Sequence, residues 1–224
     1  MAPIDPPERY MVKQTQLALN DAAEWLGDWH PLAEQLGSAD GLLCLSSVSS
    51  QLRLPPVHDL ASFELALRRY QTQILLPLEL PAIQAAHGHT SRNELRELVA
   101  LDQALKTQPI LQRFASASGR VGYGQLQKLR PLRDQRMVRR YLHAVDIGLA
   151  HGWHTLVYGL TLEIYSLALR QGLLGYAHQS TRGFIYSAAR MLRLSERQCR
   201  HLFESLCADW PQAVEVLVRQ PVPA

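Results

Sequence analysis

The chain has 224 residues, of which 47% are hydrophobic and 19% charged, with a formal net charge of +3. A chain of this length buries roughly 70% of the surface its unfolded form exposes, so its core needs neither disulfide nor metal. The small positive charge argues against a nucleic-acid binder, which carries a strong basic surplus. Three cysteines, Cys44, Cys199 and Cys207, with no C-x-x-C argue against a disulfide framework or a zinc ribbon and fit reduced thiols in the cytoplasm. No run of 18 apolar residues is present, so no membrane span is expected.

Prolines punctuate the chain. Residues 1–9, with Pro3, Pro6 and Pro7, are expected to form a disordered tail, followed by one all-helical domain over 10–220. Tyr10 to Trp29 reads as a helix, and Leu32 to Leu45 as a shorter one broken at Gly37 and Gly41. Ser46 to His58 is serine-rich and ends in Pro55-Pro56, which predicts a loop. Asp59 is placed to cap a helix over Leu60 to Leu75, where Phe63, Leu67, Tyr70 and Ile74 repeat helically. Pro77 and Pro81 mark a bend or a fresh start, and the helix through Ala86 ends at His87-Gly88-His89.

Ser91 with Glu94 reads as a capping box for a helix through Lys106. Pro109 suits the first turn of a helix to Leu129, although Gly119, Gly122 and Gly124 each cost about 1 kcal/mol in a helix interior. Pro131 opens another helix, ending near Gly152. From Trp153 to Leu194 the apolar residues recur at steps of three and four, interrupted at Gln171-Gly172. This spacing predicts two antiparallel helices turning at Gly172, at the centre of a bundle where small residues permit close packing. Ser195 with Gln198 forms a further capping box for a helix through Ala208, and Pro211 starts a short last helix. No stretch alternates apolar and polar residues, so the fold class is all-α, a single-domain bundle of roughly eight to ten helices.

The sequence offers no positive sign of catalysis. Gly119, Gly122 and Gly124 match neither a P-loop nor a dinucleotide fingerprint, and there is no G-x-S-x-G or H-E-x-x-H. His151 and His154 sit three apart, as if on one helix face, without a carboxylate at ligand spacing. His87 and His89 read as solvated loop histidines, and Cys199 and Cys207, eight apart, as buried thiols on one face. No cofactor and no metal site is therefore expected. One basic stripe stands out: Arg130, Arg133, Arg136, Arg139 and Arg140 would line one side of a helix broken only by Asp134, for which a solvated face is the default reading and a site for an acidic protein surface or phosphates the functional one.

The pattern from about Leu17 to Leu206 resembles the UreF family of urease accessory proteins. Near the start, Leu17, Leu19, Asp21, Ala23, Gly27, Trp29, His30 and Glu34 follow the family's Asp-Ser-Ala, Gly-Gly-Phe and His-Ser stretch, with Asp28 and Pro31 as departures. Glu79-Leu80-Pro81 resembles its Asp-x-Pro, and Leu101-Asp102-Gln103-Ala104-Leu105 its Leu-Asp-x-x-Leu. Gly119-Arg120 matches its Met-Gly-Arg, and His154, Val157 and Gly159 its His-x-x-Val-x-Gly. Ser187-Ala188-Ala189-Arg190 resembles Ser-Ala-Ala followed by a basic residue. The family's Tyr-Ser-Arg-Leu-Phe-like tail segment has no counterpart in PQAVEVLVRQPVPA.

The resemblance implies an all-α nickel-insertion chaperone in the cytoplasm, non-enzymatic and homodimeric, that binds UreD (UreH in some species) and recruits the GTPase UreG to apo-urease. Residue types and matched positions together nominate Gly27, Trp29, His30, Arg120, Tyr123, Arg133, Arg136 and Arg190 as partner-binding. Aromatic and arginine side chains are enriched at interface hot spots, and Gly27 suits a tight turn beside the Trp29 anchor. The alternatives are a helical nucleic-acid-binding regulator using the Arg130–Arg140 stripe, or a divergent copy that has lost the urease role.

Overall fold

The computed structural model describes residues 56–112, 114–132, 135–189 and 191–220. The expected tail, the helices over Tyr10–Trp29 and Leu32–Leu45, and most of the serine-rich loop lie outside them. Among the described residues the chain forms ten α-helices and one π-helical stretch, with no strand. In order these are α1 (Leu60–Tyr70), the π-helix (Gln71–Glu79), α2 (Leu80–Ser91), α3 (Leu95–Lys106), α4 (Pro109–Gln112), α5 (Ala115–Leu129), α6 (Arg136–Asp146), α7 (His154–Ile164), α8 (Leu169–Ala189), α9 (Glu196–Cys207) and α10 (Trp210–Arg219).

Asp59 caps α1 as expected, its carboxylate accepting from the Ser62 amide at 2.8 Å. The helix does not stop near Leu75. It widens into the π register, where the Leu80 amide reaches back to the Leu75 carbonyl, and continues into α2 with Pro81 in its first turn. In an α register the Pro77 ring would clash with the carbonyl four residues earlier, and the wider turn carries the chain past it. The histidine pair is also helical rather than loop, because α2 runs to Ser91.

Ser91 does not cap α3. Its hydroxyl closes α2 on the Gly88 carbonyl, Asn93 makes the turn at φ 58°, and Glu94 bonds to His89 and Arg92 instead. The stretch from Pro109 divides into α4 and the glycine-bearing α5. The next helix opens only at Arg136 and closes early. The Gly148 amide bonds to the Val145 carbonyl and the Leu149 amide to the Ala144 carbonyl, with Gly148 at φ +76°, which is a Schellman stop. Ser195 with Gln198 caps α9, and Pro211 lies in the first turn of α10, both as read from the sequence.

Every residue of α7 from His154 to Leu162 is buried, so this helix is the centre of the core. Its most extensive partner is α2 rather than α8. A side chain at Gly159 would collide with the Ile83 carbonyl oxygen, so the two backbones touch there. The turn between α7 and α8 falls at Tyr165–Ala168, with Ser166 at φ 53°, and not at Gly172. Gly172 lies inside α8, where a Cβ would strike the Leu162 side chain. Its periodicity break is therefore a packing notch, and the Tyr158 hydroxyl donates to its carbonyl at 3.1 Å.

One buried carboxylate joins these elements. Asp102 of α3, 1% exposed, accepts from the Tyr141 hydroxyl of α6 at 2.7 Å. It also accepts from the amides of His151 at 2.6 Å, Gly152 at 2.9 Å and Trp153 at 3.4 Å, while its own carbonyl takes the Trp153 indole N–H at 3.1 Å. Trp153 is the N-cap residue of α7 and gives no side-chain cap, so an acid from another helix supplies the negative charge that its N-terminus favours. The Ser118 hydroxyl takes the His154 amide at 3.0 Å, and the His151 ring donates from Nε2 to the Ala115 carbonyl at 2.6 Å. Both contacts need α5 to lie close. Gly119 faces the His151 ring, and a Cβ on Gly122 would run into the Gly152 carbonyl oxygen.

Asp102→Ala is expected to destabilise the protein by about 3 kcal/mol or more in urea unfolding, because it strands buried donors. Asp102→Asn, with one acceptor oxygen left, is expected to cost about 1–3 kcal/mol. Gly122→Ala is expected to lower the unfolding midpoint although alanine is the better helix former, since backbone overlap outweighs propensity. Gly148→Ala, which meets open space and only the left-handed φ penalty, should cost about 1 kcal/mol. Burial, then the Asp102 charge and hydrogen bond, push the Tyr141 phenol well above its ordinary value. The folded state therefore holds that proton more tightly than the unfolded chain. Stability present below the ordinary tyrosine value near pH 10 is lost as pH rises beyond it. Phenolate absorbance and loss of helical circular dichroism should accordingly appear together.

Candidate functional site

The interior holds a second buried carboxylate. Glu79, 7% exposed at the end of the π-helix, accepts from the Tyr70 hydroxyl at 2.5 Å, and its charge also acts on Tyr176. Burial and the Glu79 charge push both phenols well above their ordinary value, so they stay protonated donors. Beside them lies a cavity of about 20 Å³, lined by Glu79, Ser118, Trp153, His154 and apolar neighbours. That volume holds about one water and no substrate. The buried acids are thus hydrogen-bonded into the packing.

The histidines are similarly engaged. His89 Nδ1 lies 2.9 Å from Glu94, and His87 pairs with Glu163 of α7 at 3.1 Å. Partial burial lowers the His87 value, with the Glu163 charge opposing that shift. His151 and His154 do not share a helix face, since His151 precedes α7 and His154 opens it. No group of three or more His, Cys, Asp or Glu side chains comes together as a metal site among the described residues. Cys199 is buried and Cys207 half-buried, and burial pushes the Cys207 thiol up to about 12. Between α1 and α9 runs a groove of about 290 Å³ lined by Leu60, Leu202, Glu64, Arg197 and His201 among others.

The partner-binding candidates fall on the surface where they are described. Arg120 and Tyr123 stand one turn apart on α5, Arg120 exposed and Tyr123 41% exposed, so the helix brings them together. Arg136 is exposed at the start of α6. Gly27, Trp29, His30, Arg133 and Arg190 lie outside the described residues. The basic stripe is not one helix face. Arg130 is the C-cap residue of α5, the chain turns after it, and only Arg136, Arg139 and Arg140 share α6.

Sequence reasoning missed what adjoins that face. Ile147 and Leu149, 61% and 52% exposed, flank Gly148 in the turn that ends α6. Two glycines, Gly148 and Gly152, mark that turn in the sequence, where the pattern predicts a longer helix ending near Gly152. Sequence reasoning also missed the roles of Asp102 and Glu79, although both stand at positions where the chain resembles the family's acidic motifs.

No helix among the described residues is long and apolar enough to cross a membrane. A comparison with curated proteins finds no match for the chain. A family model for UreF matches residues 57–207, which takes in α1 through α9 and more than half of the chain. The match covers the Asp102 junction, the α2–α7 contact at Gly159 and the exposed Arg120–Tyr123 pair alike. The chain belongs to the UreF family, a family of urease accessory proteins.

Proposed function

We propose that the protein is a non-catalytic scaffold for nickel insertion into urease, working in the cytoplasm as a homodimer. In this reading it binds UreD (UreH) and recruits the GTPase UreG to apo-urease. The observation that carries it is the family match over the helical core. An interior spent on packing supports it: the cavity beside Glu79 and His154 has room for about one water, so the useful chemistry belongs to the surface. The mechanism is positioning. A rigid bundle holds partners at fixed distance and orientation, and nucleotide hydrolysis by the GTPase is coupled to metal release. No residue of this chain needs to hold nickel for that.

Arg120 and Tyr123 are the described contact residues of this proposal, a charged fork beside an aromatic ring on one helix turn. Co-expression of the tagged protein with UreD and UreG of its host should recover both partners in one complex. Arg120→Ala with Tyr123→Ala should lower that recovery, and urease activation with it, by about tenfold. Clean recovery of this protein alone, with both partners expressed and soluble, would overturn the proposal.

A further inference from the structure

We propose that the outward face of α6, continued by the turn that ends it, docks an acidic protein segment carrying an apolar flank. The inference rests on the scaffold reading above and assigns it a surface. Arg136, Arg139, Arg140 and His143 follow one another at helical steps and are all exposed. None of the three arginines makes an ion pair or hydrogen bond among the described residues. Other exposed arginines also lack an ion pair, Arg69, Arg96 and Arg120 among them, whereas Arg68 is matched by Glu64, Arg92 by Glu94, and Arg170 and Arg219 by Glu215; what marks α6 is that three arginines and a histidine share one face. The only acid in α6 is Asp146, its last residue. The face is therefore predominantly basic, with the exposed Asp146 between the arginine row and the turn, and its arginines offer unused bidentate donors, the geometry that suits carboxylates.

The turn supplies the second half of the argument. In a Schellman stop the residue after the glycine normally folds its apolar side chain back onto the helix. Here Leu149 is 52% exposed, and Ile147 before the glycine is 61% exposed. The backbone beneath them is held firmly. The Leu149 amide bonds to the Ala144 carbonyl, and Gln103 of α3 donates to the Leu149 carbonyl at 3.1 Å. On its inward side α6 buries Met137, Val138, Tyr141 and Leu142, with Tyr141 tied to Asp102. Two apolar side chains are thus presented on a rigid mount at the end of a basic stripe. Preorganised surfaces of this kind lose little ordering entropy on binding.

The occupant follows from these features. A phosphate backbone gains nothing from Ile147 and Leu149, and three arginines give few phosphate contacts. A second copy bound face to face would set arginine against arginine. An acidic helix or strand with one or two apolar side chains satisfies both halves.

The test uses the full chain with UreD, UreG and apo-urease of its host, and a short duplex DNA as a separate probe. Arg139→Glu with Arg140→Glu should weaken capture of one urease-maturation partner by about tenfold or more at low salt. Arg139→Lys with Arg140→Lys, which keeps the charge but loses the bidentate fork, should weaken capture less than the charge reversal does. Ile147→Asp should also lower capture while helix content and elution volume stay unchanged. Wild-type capture should weaken as salt rises from about 0.05 to 0.5 M. If wild type assembles with its partners and the charge reversal does so equally well, the docking surface is wrong and the scaffold reading stands. If wild type captures none of them, the scaffold reading fails and this inference falls with it. Duplex binding that the charge reversal abolishes would reassign the face to nucleic acid and overturn the proposal.

Discussion

The arrangement of α3, α6 and α7 depends on one carboxylate. Withdrawing Asp102 from water costs several kcal/mol unless its oxygens are matched, and here four donors match them. Three of those donors are consecutive backbone amides ahead of α7, a concave set that binds anions by geometry alone. The helix they lead into is buried at every residue from His154 to Leu162 and has no side-chain cap of its own. Its N-terminal charge is therefore answered from α3. Because Tyr141 reaches the same oxygens, α6 is fixed by the bond that fixes α7. The segment between them, residues 147–153, is held at both ends.

That junction forms only because α5 comes close enough to complete it. Gly119 and Gly122 weaken α5 by about 1 kcal/mol each as a helix. In return the Ser118 hydroxyl reaches the His154 amide, and the Ala115 carbonyl reaches the His151 ring. Local propensity loses to tertiary contact at both glycines. The same trade recurs at Gly159 against α2 and at Gly172 against Leu162. Small residues at these four positions are steric requirements of the packing and carry no turn.

How much of this was legible in the sequence depends on how far the deciding contact lies along the chain. Asp59 and Ser195 were readable as caps because both halves of each box sit within three residues. Ser91 and Glu94 present the same pattern and fail, because His89, Arg92 and the Gly88 carbonyl compete for the same side chains. Pro77 reads as a boundary when only the α register is considered, and the π-helix removes that assumption. Gly172 interrupts the apolar period whether it turns the chain or admits Leu162, and periodicity cannot separate the two. At the surface, the basic face of α6 was visible as a repeat, but its start was set too early. Asp102 was visible only as a family match, its donors lying 39 to 51 residues away.

The arginine row of α6 bears on the distribution of charge more than on stability. An exposed ion pair contributes about 0–1 kcal/mol, so pairing Arg68 or Arg219 adds little stability and leaving three arginines of α6 unpaired forfeits little. The consequence is electrostatic reach. A like-charged row projects a field over roughly the screening length of 8–10 Å, whereas a neutralised pair projects almost none. That field stands on a helix whose other side is bonded to the Asp102 junction. Stability and recognition are therefore coupled through one tyrosine. A change that loosens Tyr141 moves the arginine row and the Ile147–Leu149 turn relative to α7, even though it touches no exposed residue.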